Sequence, residues 1–94
     1  MQLKVFAIYD RAAEAFNTPF FMLTSAEAIR AFTNMATNPE SQIYHNPLDF
    51  ELHNIGHYIN TTGDLLQDDA LGNLGSAAIF KEKAEKVVPI KEAN

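Results

Sequence analysis

The chain has no cysteine and no tryptophan, and its seven lysines and arginines are outnumbered by twelve aspartates and glutamates. Without cysteine, the sequence excludes disulfides, thiolate metal sites and a cysteine nucleophile. Secreted domains of this size usually carry disulfides, so the absence of cysteine favours a reducing cytoplasm. The net charge of −5 argues against strong, diffuse binding to nucleic acid, because such binding needs lysine and arginine to replace counterions.

Long apolar segments are also absent from the sequence. No run approaches the roughly 20 residues that span a bilayer, and residues 1–10 lack the basic start and apolar run of a signal peptide. We therefore expect no membrane partner. The glycine motifs that bind phosphates or dinucleotides and the Gly-x-Ser-x-Gly nucleophile elbow do not occur either. The sequence predicts a protein that acts by binding or assembly, with no catalytic residues, no metal and no cofactor.

Length and charge distribution predict the domain organisation. The 94 residues suffice for one domain, and 47% of them are apolar, a normal share for a globular protein. Residues 1–79 carry three basic and nine acidic side chains, whereas residues 80–94 carry four lysines and three glutamates. Mixed charges of this kind are typical of a solvated helix or a loose end. We predict a single domain over residues 1–80 and a polar, partly flexible tail over residues 81–94.

Hydrophobic periodicity predicts two strands and then a helix. Leu3–Tyr9 has apolar side chains on both faces, which is typical of a central strand covered at least in part on both sides. Pro19–Thr24 is bulky and apolar, and a connection of about ten residues favours antiparallel pairing. Thr24 and Glu27 have the spacing of a capping box that starts a helix. The apolar stripe that we expect to cover the sheet consists of Ala28, Ile29, Phe32, Met35 and Ala36.

A hairpin is predicted after the helix. Phe50–Ile59 forms a third strand whose apolar spacing changes phase between Leu52 and Ile55, so we expect Gly56 to mark a bulge. A turn containing Gly63 then leads to a short fourth strand. The predicted limits of the later elements are Leu65–Gln67 for the fourth strand, residues 68–75 for a loop and Ser76–Phe80 for an edge strand.

These elements predict an α+β fold. The expected architecture is a small, mainly antiparallel sheet of four to five strands in β-β-α-β-β order, covered by one helix.

His53 and His57 are the pair of residues that suggests metal chemistry. Residues four apart share a face of a regular strand, and Glu51 and Asp64 lie close enough in the predicted hairpin to join them around a divalent ion. No third ligand has diagnostic spacing, so we favour the interpretation that both histidines are solvent-facing residues of a half-exposed hairpin. A metal-dependent enzyme is the least favoured hypothesis.

Aromatic and basic residues suggest a nucleic-acid site. Exposed rings on a sheet can stack unpaired bases while nearby cations hold the backbone. Phe20 and Phe21 can supply such rings, or they can form the core beneath the helix. Both interpretations hold if one of the two adjacent rings points outward. The candidate nucleic-acid-binding residues are Lys4, Arg11, Phe21, Arg30, Lys81, Lys83 and Lys86.

Several short motifs occur in an order found in a known family. They are Leu3–Asp10, Pro19–Phe21, Ala28–Phe32, Asp49–Leu52, Ile55-Gly56 and Thr62-Gly63, with Leu74-Gly75 compatible. Over about residues 1–80, the chain resembles the small nonstructural protein of gokushovirus-type microviruses, the phage ORF5 family. The tail from Lys81 onward is not covered by this resemblance.

The resemblance implies a role in phage DNA replication, including the switch from duplex to single-stranded synthesis, or in genome packaging. It implies binding of single-stranded DNA in the host bacterial cytoplasm and supplies no catalytic residues. The alternative is an adaptor that engages host or phage replication or packaging proteins without contacting DNA. In either case, edge strands favour self-association, with a dimer as the first expectation.

Overall fold

A computed structural model of the protein describes residues 1–87. Its elements are, in chain order, β1 (Gln2–Asp10), β2 (Ala15–Phe16), β3 (Phe20–Met22), α1 (Ser25–Ala36), α2 (Gln42–His45), a 3-10 turn (Pro47–Asp49), β4 (Phe50–Ile59), β5 (Asp64–Ser76) and α3 (Ala77–Val87). The strands form one five-stranded antiparallel sheet, which confirms the predicted α+β fold class.

The first strand organises the sheet. β1 pairs with β4 on one side and with the short β2 and β3 on the other, and β5 forms the far edge beyond β4. The stretch Val5–Ile8 is apolar on both faces, and all four residues are buried. This burial confirms that β1 is the central strand predicted from its sequence.

The capping box forms at the start of α1. The Oγ1 atom of Thr24 accepts a hydrogen bond from the N–H of Glu27 at 3.1 Å, and Oε1 of Glu27 accepts one from the N–H of Leu23 at 3.2 Å. The cap sets where α1 begins, and the apolar stripe faces the sheet, with Ala28, Phe32 and Ala36 buried. Met35, which we predicted in the apolar stripe, is 39% exposed and lies at its edge.

The hydrophobic core fills the space between one face of the sheet and the helices. The sheet contributes Phe6, Ile8, Phe50 and Leu52, and the helices contribute Ala28, Phe32, Ala36, Ile43 and Ala77. The ring of Phe80 on α3 also meets the ring of Phe32 on α1, with 6.0 Å between centroids. We call this helix-covered side of the sheet the closed face. The predicted covering helix is α1, and α3 packs beside it on the same face.

A bulge in β4 confirms the phase change read from the sequence. Phe6 pairs with Asn54 and Val5 pairs with Gly56, so Ile55 is the extra residue. A Cβ atom at position 56 would collide with a backbone carbonyl oxygen of β5, which explains why glycine stands there.

The last third of the described chain departs from the prediction. Residues 68–75, predicted as a loop, belong to β5, which is far longer than the predicted Leu65–Gln67 strand. The predicted edge strand Ser76–Phe80 is wrong, because α3 begins at Ala77. The turn-forming residues of this segment follow an irregular register: residues 68–71 interrupt the pairing to β4, and a second register shift occurs at Leu74. Pairing with β4 therefore overrides the local turn preference.

The predicted limit between domain and tail falls inside α3, at residues 80 and 81. The division into a domain and a tail stays a prediction, and residues 88–94 of that tail lie outside the described residues. Within residues 1–87, no helix has the length and apolar character needed to cross a membrane.

Candidate functional site

The second face of the sheet, which we call the open face, lies opposite the core. In the described part of the chain, the sheet residues of the core cluster belong to the closed face. Cross-strand pairing arranges the open face in four rows, which run Leu3–Tyr58–Leu65, Phe21–Val5–Gly56–Gln67, Ala7–His53–Asn73 and Phe16–Tyr9–Glu51–Ser76. Aromatic side chains therefore stand near both ends of this surface.

One aromatic group lies at the β2 end of the open face. Its rings are close neighbours: Tyr9 and Phe16 are 4.9 Å apart between centroids, Phe16 and His53 are 5.3 Å apart, and Tyr9 and His53 are 6.2 Å apart. Phe16 is 43% exposed, whereas His53 is buried beneath it. We call these three residues the His53 cluster. Phe16 is the exposed member of this cluster, and its ring packs against those of Tyr9 and His53.

A second aromatic group lies at the hairpin end. Phe21 on β3 meets Tyr58 on β4 in an edge-to-face contact, with 5.6 Å between ring centroids. Phe21 is 45% exposed and stands opposite Val5, four residues from Tyr9 along β1. At about 3.3 Å per residue, the two aromatic groups are roughly 13 Å apart along the strand. We call Phe21 and Tyr58 the Phe21 pair.

Charge on the open face is concentrated around Glu51. Its Oε2 atom lies 3.4 Å from Nη1 of Arg11, and its Oε1 atom accepts hydrogen bonds from Nε2 of His53 at 3.3 Å and from Nδ2 of Asn73 at 3.5 Å. Three donors thus converge on one carboxylate beside the His53 cluster. Nδ1 of His53 is buried without a hydrogen-bond partner among the described residues. The side chain of Arg11 remains largely exposed, so its guanidinium is accessible to an anionic ligand.

Two of the seven predicted nucleic-acid-binding residues lie on or beside the open face: Phe21 and Arg11. Lys4 lies on the opposite side of the sheet, where it lines a polar hollow of about 250 Å³ together with His57 and Asp68. Arg30 is exposed on α1, in the helix layer. The structure therefore does not gather the predicted residues into one patch.

The three predicted lysines of α3 also lie away from the open face. Nζ of Lys81 donates to the carbonyl oxygen of Tyr44 at 3.2 Å and lies 3.8 Å from the centroid of that ring, which ties α3 to α2. Lys86 makes an exposed ion pair with Glu82 on the same helix at 3.3 Å. Lys83 is exposed. Lys81 thus has a structural contact, and the other two cations are solvated.

The bulge in β4 separates the two histidines that we considered as metal ligands. His53 lies opposite Ala7 on the open face, whereas His57 lies opposite Lys4 on the other side, where its Nδ1 is 3.1 Å from Oδ1 of Asp68. The expectation that the two rings share a face is wrong because the bulge adds one residue between them. His53 is also buried, against the expectation of a solvent-facing residue. The described residues contain no group of three or more His, Cys, Asp or Glu side chains placed to hold a metal ion.

Sequence reasoning did not connect three residues with this surface, Tyr9, Phe16 and Tyr58, and it considered His53 only as a metal ligand or a solvent-facing residue. The alternation of β1 places Tyr9 on the same face as Val5. The missing information was the pairing of Phe16 with Tyr9 through the two-residue strand β2, which has no pattern of its own. A strand of two residues is too short for periodicity to detect.

A five-stranded sheet with helices on one face and half-exposed aromatic rings on the other defines a small α+β domain. The chain belongs to the family of phage ORF5 proteins, whose model matches residues 3–79, and it is thereby a phage nonstructural-type protein. This match confirms the family predicted from the sequence. No curated protein and no solved structure matches the chain.

Proposed function

We propose that this protein is a non-enzymatic phage protein that binds single-stranded DNA through the open face of its sheet. The proposed setting is the host bacterial cytoplasm, in viral DNA replication at the switch to single-stranded synthesis, or in genome packaging. The supporting observation is the pair of half-exposed rings, Phe16 and Phe21, on one sheet face, with the accessible guanidinium of Arg11 at the Phe16 end, where it pairs with Glu51. Proteins that bind single strands without sequence preference combine aromatic stacking with nearby cations in this way.

The charge of the protein shapes the expected binding. A chain with a net charge of −5 gains little from counterion release. Arg11, which pairs with Glu51 on the open face, can neutralise a phosphate there. Stacking must therefore supply most of the affinity, at about 1–3 kcal/mol per stacked base. With one or two phosphates neutralised, the logarithm of affinity should fall with the logarithm of salt concentration at a slope of only about −1.

The test is a titration of labelled single- and double-stranded DNA at two salt concentrations. We expect the protein to retain single strands more tightly than duplex, because paired bases cannot reach the rings. Phe16→Ala should weaken binding about fivefold or more. Leu48→Ala is the matched control, because Leu48 is an exposed apolar residue of the 3-10 turn, outside the open face. No retention of single strands at low salt would reject the proposal.

The second candidate is a protein-binding adaptor that engages host or phage replication or packaging proteins. The hairpin end of the sheet favours it, because Leu65 is 63% exposed and continues the apolar surface of Phe21. Co-purification of a replication protein that survives nuclease treatment, together with no DNA retention, would favour the adaptor.

Self-association accompanies either candidate, and we propose a dimer as its first form. The support for a dimer is the exposed edges of the sheet, at β5 on one side and at β2 and β3 on the other, which can pair with a second copy across a two-fold axis. Sedimentation as a monomer at micromolar concentration would contradict it.

A further inference from the structure

The second row of the open face forms a groove. Phe21 on β3, Val5 on β1, Gly56 on β4 and Gln67 on β5 are cross-strand partners in series. With strands about 4.8 Å apart, the row spans roughly 14 Å. Gly56 has no side chain and Val5 is short and buried, so the row is high at both ends and low in the middle. The resulting groove has a volume of about 430 Å³.

The lining of this groove is apolar and uncharged. Pro19, Ile55 and Leu65 complete its walls, and none of its lining residues carries a charge. Phe21 is supported from the side by Tyr58, which holds the exposed ring in place. Gln67 is exposed and contributes a carboxamide, which offers both a donor and an acceptor. The groove thus combines one aromatic platform, an apolar floor and one uncharged hydrogen-bonding group.

An unpaired nucleobase has the complementary chemistry: two flat apolar faces and an uncharged edge of donors and acceptors. Proteins hold such bases by stacking them on aromatic rings, and glutamine can hydrogen-bond base edges, adenine in particular. We propose that the groove receives one unstacked base of a single strand, stacked on Phe21 with its edge at Gln67. This subsite rests on the proposed single-strand binding and adds base contact to it. A charged ligand is disfavoured, because it would lose hydration without gaining a charged partner.

The experiment compares two labelled oligonucleotides, each about 12 nucleotides long. One is an ordinary mixed single strand and the other is an abasic backbone with the same number of phosphates. We expect the wild-type protein to bind the base-bearing strand about five- to hundredfold more tightly than the abasic one. Phe21→Ala should weaken binding of the base-bearing strand about fivefold or more and leave the abasic strand unaffected.

Gln67→Leu tests the edge contact separately. It should reduce the difference in affinity between oligodeoxyadenylate and oligodeoxythymidylate about fivefold or more, because one hydrogen-bonding group is lost while the stacking surface remains. The matched controls are Leu23→Ala and Gln42→Leu. Leu23 is as exposed as Phe21 but lines the hollow beside Lys4, and Gln42 is exposed on α2. Both controls should bind like the wild type, and circular dichroism should show that all four variants are folded.

The outcomes separate the subsite from the proposed function. If Phe16→Ala weakens binding of the base-bearing strand and Phe21→Ala does not, single-strand binding stands and the base subsite is overturned. No binding of either strand at low salt would reject the proposed function and the subsite with it. If base discrimination survives Phe21→Ala while the sedimentation of the DNA-free protein changes, the groove is a contact between two copies of the chain and the subsite is overturned.

Discussion

Phenylalanine side chains lie on both faces of the sheet, but they are buried on the closed face and half-exposed on the open face. On the closed face, Phe6 and Phe32 are fully buried between the sheet and the helices. On the open face, Phe16 and Phe21 retain more than two fifths of their surface in contact with solvent. The difference is what lies above each ring: a helix on one side, and other side chains of the sheet on the other. Phenylalanine content alone therefore does not distinguish a core from a contact surface.

The closed face supplies most of the apolar burial, and the proposed binding uses the open face. Apolar area removed from water stabilises a fold by about 25 cal/mol per Å², so the helix-covered rings contribute most. Rings that stay half-exposed contribute less to stability and keep surface available for a ligand. A chain of 94 residues has a thin core, and leaving two phenylalanines half-exposed is a real loss of stability. The proposed binding role gives those positions a purpose.

The largest expected effect contrasts the two faces directly. Phe32→Ala should lower the free energy of unfolding by about 3–5 kcal/mol, because it leaves a cavity in the core. Phe21→Ala should lower it by about 1 kcal/mol, because it removes a half-exposed ring and one edge contact with Tyr58. Urea denaturation of both variants measures the difference. Equal losses would mean that the open face is packed in solution, and a midpoint that rises with protein concentration would identify a second copy as the cover.

Gly56 allows β4 and β5 to lie close together and also forms part of the floor of the groove on the open face. Gly56→Ala should destabilise the protein by about 1–3 kcal/mol, since the new methyl group meets a backbone carbonyl that cannot move cheaply. Gly72→Ala is the matched control, because its Cβ would find ordinary contacts at 3.5 Å or more from Asn54. Thermal melts of the two variants check this prediction. A similar loss for both would show that the strands separate easily at Gly56.

A substitution in the N-terminal cap of α1 should lower stability and leave DNA affinity almost unchanged, because the cap lies outside the open face. Thr24→Ala should lower the free energy of unfolding by about 1 kcal/mol, because the N–H of Glu27 loses its acceptor. Thr18→Ala, in the exposed stretch before β3, is the control and should be neutral. Urea denaturation gives the stability and a DNA titration gives the affinity. A large loss of DNA affinity in folded Thr24→Ala protein would contradict the proposal that DNA binds only to the open face.

Much of the fold follows from local signals in the sequence. The alternation in β1, the capping box at Thr24 and the phase change at Gly56 each have one physical cause within a few residues of chain, and all three are present. The segment of β5 and α3 was mispredicted because its glycines and aspartates favour turns locally. Its strand exists because β4 provides a partner, which only the tertiary arrangement supplies.

The candidate site was less accessible from the sequence than the fold. Phe21 and Arg11 were identified because an exposed ring and a cation are recognisable residue types. The choice between Phe20 and Phe21 depends on which face the helices cover, and the structure packs Phe20 against the core. Lys4 lies one residue out of phase with Val5, so it is on the other side of the sheet, and its predicted contact with nucleic acid stays a prediction. The family match covers residues 3–79 but assigns no role to any of these side chains.

The smallest expected effect concerns the carboxylate of Glu51, at the β2 end of the open face. Glu51 accepts from Arg11, His53 and Asn73, so it occupies the donors that a phosphate would otherwise use. Glu51→Gln should therefore raise the affinity for single-stranded DNA about two- to fivefold, the range expected for exposed charge pairs. Arg11→Gln should lower it by a similar factor and flatten the salt dependence.

Fluorescence anisotropy at low salt measures these affinities, with Glu40→Gln as the control. Glu40 is exposed in the connection after α1, and the same charge is removed there without touching the donors around Glu51. If Glu40→Gln raises the affinity as much as Glu51→Gln, the gain comes from net charge, as general electrostatic attraction predicts. If Glu51→Gln alone raises it, the carboxylate competes locally with phosphate, and the open face is the surface that meets the strand.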